Sequence, residues 1–584
     1  MDGNFSANSL GQHPLISHAP PAGFSAAHDG IYVETTGKDG EIDLEWLCSP
    51  LAVVASGRNV QQAGWSRCLE FVDPEGVVQR RYVLEKELAV GFNKVLADLC
   101  DQGLKIARGS SARRHLNDLI AGWKPVGSYQ TTDRLGWADA TCKAFVLGDK
   151  RVVGKANTVF LNPVAPDGAP SMTRKGKLDQ WRSEVGERCV GNPVLIASVS
   201  LAFAGPLLEL LGKDSIGMHL RGGSSSGKTT AMGAAVSVWG SPKLMHSWRA
   251  TANALEGIAA TCNGSLLALD ELGLVSGREV GDAIYTLANG EGKARSSSTG
   301  RSQATKKWRL TMLSTGEISL ADKMGEAGRS PMTGQEVRFI DIAADTRRHG
   351  VFDALHGALD SAAFANQLKQ ATASSYGMAG PTFAKFLIAN PKLVQILPGM
   401  ISKIKAVLGN GDKSGANGAV ERVLGHFALI AAAGALATKA GITGWKPGDA
   451  PQALIELSRE WIEAQDRSEH WQIKQAVDRT SAFLRAHGKS RFEKACSAPV
   501  VGRAGYRDEK WFFILSDAWN EIHAGHLPRD QAKHLISGRW MVRGDGKNLM
   551  SKTPGWVPGR PRAYKVRAEI LNAGADASVA TNIS

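Results

Sequence analysis

The stretch Arg221 to Thr230, RGGSSSGKTT, carries the plainest chemistry in the chain. Gly222, Gly227, Lys228 and Thr229 stand in the fixed places of G-x-x-x-x-G-K-[ST], with Gly223, Ser224, Ser225 and Ser226 between them and Thr230 following. Glycine lets a backbone turn tightly around an anion, and the amides at the start of the next helix then point at phosphate oxygens. Lys228 would reach the β- and γ-phosphates of ATP, and the Thr229 hydroxyl would ligate Mg²⁺. The alternative is a structural glycine turn. Context favours the nucleotide: Ile216 to Leu220 reads as a short buried strand, and Thr230 to Trp239 as an Ala-rich helix closed by Gly240.

A second strand must bring carboxylate to the metal, and Ser265 to Glu271 (SLLALDE) has that form. Asp270 would hold Mg²⁺ through its water shell and Glu271 would polarise the attacking water; the alternative is a strand ending in solvated acids. Nucleotide kinases with the same loop generally lack the second acid, so hydrolysis is favoured over transfer to a small acceptor. Trp308 to Leu313 is a further core strand, tipped by Ser314 and Thr315. Either hydroxyl can orient the γ-phosphate or its water, the other capping the turn. Gly334 to Ile342 (GQEVRFIDI) reads as a strand opened by Arg338. That arginine enters a neighbouring subunit's site in ring ATPases, or forms an ordinary salt bridge. Between the acidic strand and Trp308 lies a polar Ser/Thr/Gly segment with basic flanks. It reads as a β-hairpin whose Lys293, Arg295, Arg301, Lys306 and Lys307 either touch a nucleic-acid backbone or are simply solvated.

These residues need a scaffold, and 584 residues suffice for about three to five domains. The boundaries read as a tail at 1–28, an N-terminal α+β domain at 29–175 and the ATPase core with a parallel sheet at 176–345. A helical lid follows at 346–468, a basic winged-helix-like module at 469–570 and a second tail at 571–584. Trp65, Trp123 and Trp137 of the N-terminal domain read as buried anchors rather than stacking platforms. A formal charge of +13 points to a polyanionic partner. Most of it lies late: Trp471 to Ile570 holds 19 Lys and Arg against 9 Asp and Glu. There, a helix over Arg529 to Gly538, a strand over Trp540 to Arg543 and a Gly-Asp-Gly turn suggest a helix and wing set against duplex DNA. Arg529, Arg539, Arg543, Arg560 and Arg562 are its candidate contacts, the alternative being a basic ring-packing domain. The seven cysteines are scattered with no C-x-x-C pair, which argues for reduced thiols in a cytoplasmic chain. Val194 to Leu211 is apolar enough to raise a membrane span, but Ser198, Ser200, Pro206 and Glu209 favour a buried helix, and no membrane partner is expected.

Taken together, GGSSSGKTT, Trp248-x-x-Thr251-x-Asn253-x-x-Glu256, LLALDELG, YTLANGEGKAR, LSTGE and GQEVRFID resemble the AAA+ ATPases. Within them the resemblance is to the domain-of-unknown-function family numbered 927, of phages, plasmids and integrated elements, over about residues 30 to 465. Relatives on staphylococcal cassette elements look like self-loading helicases akin to the minichromosome-maintenance helicases. The resemblance implies a homo-hexameric ring with a hairpin at about 291–308 gripping single-stranded DNA in the pore. It also implies a sensor at Ser314 or Thr315, a trans-acting finger at Arg338 and a second sensor arginine at Arg422. No metal-binding primase module is visible, unlike in full primase-helicases. The expected function is an ATP-dependent DNA translocase or helicase. The rivals are an initiator or transposition regulator that uses ATP as an assembly switch, and a protein-remodelling machine.

Overall fold

The computed structural model describes residues 13–16, 18–36, 41–59, 62–154, 158–160, 172–293, 305–329, 333–409, 418–495, 497–546 and 548–572. It is a multidomain α/β protein. Chain contacts divide it into two compact units, with the main boundary between 455 and 456.

The first unit opens with β structure. Phe24–Ala27, Gly30–Thr36 and Ile42–Cys48 form an antiparallel sheet, and Leu51–Asn59, Ser66–Val72 and Val78–Leu84 form three strands of a mixed five-stranded one. Two helices follow, Glu85–Val90 and Phe92–Asp101, separated because Gly91 ends the first. Trp123 and Trp137 are buried anchors, whereas Trp65 is 48% exposed, with the Arg58 guanidinium 5.3 Å above its ring.

Helix α1 (Pro193–Leu210) leads into the core and is almost entirely buried, which explains its apolar sequence. Strand β1 (Ile216–Arg221) then runs into the glycine loop and helix α2 (Lys228–Val236). Next come β2 (Met245–Ser247), α3 (Ala252–Thr261), β3 (Leu266–Asp270), α4 (Val280–Asn289), β4 (Thr311–Gly316) and β5 (Phe339–Ala343). The sheet is wholly parallel in the order β2-β3-β4-β1-β5. Its apolar runs are continuous because helices cover both faces. The order sets the site: β4 lies between the loop strand β1 and the acid strand β3, so its tip falls between the glycine loop and the carboxylates.

Helix α5 (Gly418–Lys439) packs on α1 and, like it, is long and apolar enough to cross a membrane; 89% of the α1 window and 61% of the α5 window are buried instead. The unit boundary falls inside the long helix α6 (Asp449–His487).

The second unit continues with β6 (Phe492–Glu493), β7 (Gly505–Arg507), β8 (Trp511–Ile514), α7 (Ser516–Ile522) and α8 (Pro528–Ser537). It ends with β9 (Met541–Val542), β10 (Ser551–Lys552) and β11 (Arg562–Arg567). Strand β11 pairs antiparallel with β8 on one side and with β9 on the other, and β10 also pairs with it. Alternate residues Phe512, Ile514, Val566 and Met541 face a core shared with α7 and α8.

Candidate active site

The glycine loop leaves the C-terminal end of β1. Gly227 takes φ 103° and Ser225 φ 60°, so the chain turns left-handed into α2. The Lys228 amine is buried and donates to the Gly222 carbonyl at 2.8 Å and the Gly223 carbonyl at 2.6 Å, closing the loop on itself. Thr229 is exposed and Thr230 buried, as successive helix positions require. Ser224 and Ser225 are exposed, and the Ser226 carbonyl accepts from Val351 N at 2.8 Å. The segment after β5 therefore braces the loop. Asp345 accepts the Gly223 amide at 2.7 Å, and its carboxyl carbon lies 2.7 Å from where a Gly222 side chain would start. Phe352 closes the equivalent space at Gly227, at 2.8 Å. Nothing in a single sequence marks Asp345, Val351 or Phe352; their part appears only once β5 lies beside β1.

Across β4, Asp270 and Glu271 meet Thr315. The Thr315 hydroxyl donates to Asp270 Oδ1, and the Glu271 amide donates to Thr315 Oγ1 at 3.3 Å. Glu271 holds φ 64°, an uncommon region for a residue with a side chain and one that concentrates at functional sites. Ser314 points to the other face of the sheet, as strand alternation dictates. Its hydroxyl donates to His219 Nδ1 at 2.9 Å and accepts from the Trp248 indole at 2.9 Å. His219 Nε2 must then carry the proton, because it faces the Ile318 carbonyl at 3.0 Å. Burial pushes His219 down to about 4, so the ring is neutral near pH 7. Of the two hydroxyls, Thr315 lies at the carboxylates and Ser314 in the buried support.

Arg338 sits elsewhere. Rather than opening a strand it closes the short helix Thr333–Arg338, with β5 starting at the next residue. Its guanidinium donates to Asp214 at 3.1 Å and to Asn289. Gly217 pairs with Phe339, so Arg338 lies at the N-terminal edge of the sheet, while the glycine loop lies beyond Arg221 at the C-terminal edge. The strand between them spans roughly 15 Å. Arg338 therefore cannot serve this chain's own loop. Arg422 shares its end of the molecule: it lies one turn from His426, whose Nδ1 donates to the Val337 carbonyl at 3.1 Å. Burial first, then the charges of Lys213, Arg338 and Arg422, push His426 down to about 4. Arg422, expected as a second sensor arginine, therefore lies with Arg338 and away from this chain's own glycine loop, because α5 packs on the Arg338 end.

The base of the expected hairpin is present. Glu291 and Lys307 form an antiparallel bridge and an ion pair at 3.5 Å, and Gly292 N donates to the Lys306 carbonyl at 2.9 Å. Lys293, Lys306 and Lys307 are exposed. Arg295 and Arg301 fall in 294–304, outside the described residues. In the second unit Arg529, Arg539, Arg543, Arg560 and Arg562 are all exposed, along α8 and the β9–β11 connection. Arg560 and Arg562 donate to the carbonyls of Thr553 and Met550 at 3.2 and 3.4 Å, which orients both side chains.

The fold and site define an α/β protein with a glycine phosphate-type loop on a parallel sheet and a strand-end carboxylate pair beside it. The family model described as domain of unknown function (DUF927) matches residues 24–307. Among solved structures, the chain is similar to "SCCmec type IV Cch - active helicase", with a TM-score of 0.68 and 18% sequence identity. That similarity covers 94% of this chain and 99% of the other. At this identity the likeness is one of fold. Among curated proteins nothing matches.

Proposed function

We propose that the chain is an ATP-hydrolysing DNA translocase, a helicase of a phage or mobile genetic element, working as a ring with hydrolysis at subunit interfaces. One observation carries this reading. Lys228, Asp270, Glu271 and Thr315 converge on one edge of the sheet, while Arg338 lies at the other edge, where it can reach only another copy. A head-to-tail ring joins those two edges. The likeness in fold to a helicase, the basic hairpin arms and the exposed arginines of the second unit support DNA as the substrate.

The residues fit MgATP. The left-handed Gly227, the tight turn of the glycine loop and the Lys228 amine suit a polyphosphate. Among the described residues no cluster of three or more His, Cys, Asp or Glu could hold a metal. Mg²⁺ is commonly bound by one or two carboxylates together with substrate phosphates and water. Thr229 and Asp270 would hold it, and it would neutralise phosphate charge. Glu271 would orient and polarise the attacking water, and Thr315 would fix both acids. The layout proposed with this function keeps the N-terminal domain at 29–175, the AAA+ core at 176–345, the lid at 346–468 and a winged-helix module at 469–570. In that module α7, α8 and the β9–β11 wing would contact duplex DNA.

Thr315 and Ser314 separate chemistry from support. Thr315→Ala should lower turnover roughly 10²-fold, as loss of a polar transition-state group does, with ATP affinity unchanged; its buried hydroxyl also bonds Asp270 and the Glu271 amide, so about 1–3 kcal/mol of stability goes with it. Ser314→Ala should cost a similar amount of stability, because it strands the Trp248 and His219 nitrogens, but leave turnover near the wild-type rate. Turnover and thermal melts on both variants check this, and the reverse pattern would exchange their roles.

The function itself is tested by displacement of a labelled strand from a forked duplex with ATP and Mg²⁺. DNA-stimulated hydrolysis without displacement would favour the rival, an initiator or regulator that uses ATP as an assembly switch.

A further inference from the structure

The motif Trp248-x-x-Thr251-x-Asn253-x-x-Glu256 lies between the nucleotide site and the hairpin, and its two ends touch one of them each. Trp248 is fully buried. Its backbone amide donates to the Asp270 carbonyl at 3.1 Å, and its indole donates to Ser314 at 2.9 Å, so it grips the tips of both β3 and β4. Thr251 caps α3, its hydroxyl accepting from Ala254 N at 3.3 Å. One turn into that helix stands Glu256, only 2% exposed. Its Oε1 accepts the backbone amide of Lys293 at 3.3 Å, at the root of the first hairpin arm. Its Oε2 lies 2.8 Å from where a side chain at Gly292 would begin, so the arm passes hard against the carboxylate. The second arm lies over the same helix: Lys306 Nζ is 3.7 Å from the equivalent point at Gly257.

We propose that Glu256 is a positioning residue that couples the nucleotide site to the hairpin through α3. A carboxylate is costly to bury unless it is paired, and this one is buried where the hairpin leaves the core. Helix α3 is a short rigid rod, and Trp248 and Glu256 are fixed to opposite ends of the path. A shift of the β3 or β4 tip at Asp270 or Ser314 during hydrolysis is passed by Trp248 to the helix and by Glu256 to the arm. The arm at Trp308 also continues directly into β4, so the hairpin root is held from two directions. The inference rests on the reading of the site as a DNA-dependent ATPase.

The test compares basal and single-strand-DNA-stimulated ATP turnover of the full chain, wild type beside Glu256→Ala and Glu256→Gln. In Glu256→Ala the stimulated rate falls roughly tenfold, the worth of a hydrogen bond to a charged group, while basal turnover and ATP affinity hold at wild-type values. Glu256→Gln keeps an acceptor for the Lys293 amide and retains stimulation. Gly292→Ala, which forces the arm off the carboxylate from the hairpin side, also loses stimulation, and it decides the matter should Glu256→Ala not fold. Full stimulation in Glu256→Ala or Gly292→Ala, or basal and stimulated rates falling together, would overturn the coupling role. A wild-type chain indifferent to DNA would instead remove the functional reading beneath it.

Discussion

Lys228→Ala is expected to lower ATP affinity by roughly 10²-fold or more, since each charge-assisted hydrogen bond to phosphate contributes about 1.5–3 kcal/mol. The Lys228 amine is buried, held by two loop carbonyls, and carries the one charge at the centre of the loop sequence. Arg221, at the start of the loop, is already paired with Asp341 at 3.0 Å. Removing the amine also leaves the Gly222 and Gly223 carbonyls without that donor. A thermal melt must therefore accompany the binding titration, to separate lost affinity from a loosened loop. Titration of a fluorescent ATP analogue checks the prediction. Affinity equal to wild type would leave the glycine loop a structural turn.

The second large effect is at Arg338. Arg338→Ala should leave ATP binding intact and lower hydrolysis roughly 10³-fold or more, the scale of an arginine acting in trans on a transferring phosphoryl group. Its ion pair with Asp214 is partly exposed, so its loss costs about 1 kcal/mol or less and does not threaten the fold. The decisive arm is mixing. At ATP concentrations that saturate the wild type a Lys228→Ala subunit stays largely empty but still carries Arg338, and an Arg338→Ala subunit binds ATP but lacks the finger. Where the first abuts the second, one complete site forms, so turnover should recover on mixing two inactive preparations. Turnover that stays absent would leave Arg338 as the partner of Asp214 and Asn289 alone.

What could be read from sequence was local. The strand before the glycine loop was expected at Ile216 to Leu220 and is Ile216–Arg221. The helix expected at Arg529 to Gly538 is Pro528–Ser537. Both are governed by short-range apolar patterning and by Gly and Pro punctuation. Register was not legible. Ser314 and Thr315 are adjacent and chemically alike, and only the pairing of β4 with β1 and β3 tells which hydroxyl meets Asp270. Arg338 was expected in a strand because Val337 to Ile342 is β-rich in apolar residues; the strand begins one residue later, at Phe339. Arg422 is a second sensor arginine only by resemblance, and the packing of His426 against Val337, which puts it at the Arg338 edge, could not be read from sequence. Asp345 acts through a contact distant in sequence, with Gly223, so no local pattern announced it; Glu256 stood in the motif that begins at Trp248, but its contact with Lys293 was not legible there.

On the proposed reading, ATP hydrolysis at Glu271 drives movement on DNA. Strand displacement from a forked duplex, wild type beside Glu271→Gln, tests it most directly. The prediction is ATP-dependent displacement by the wild type, sensitive to which strand carries the tail. The Glu271→Gln chain should bind ATP and DNA but displace nothing. Displacement by that variant at the wild-type rate, or none by a wild-type chain that hydrolyses ATP on the same fork, would contradict it.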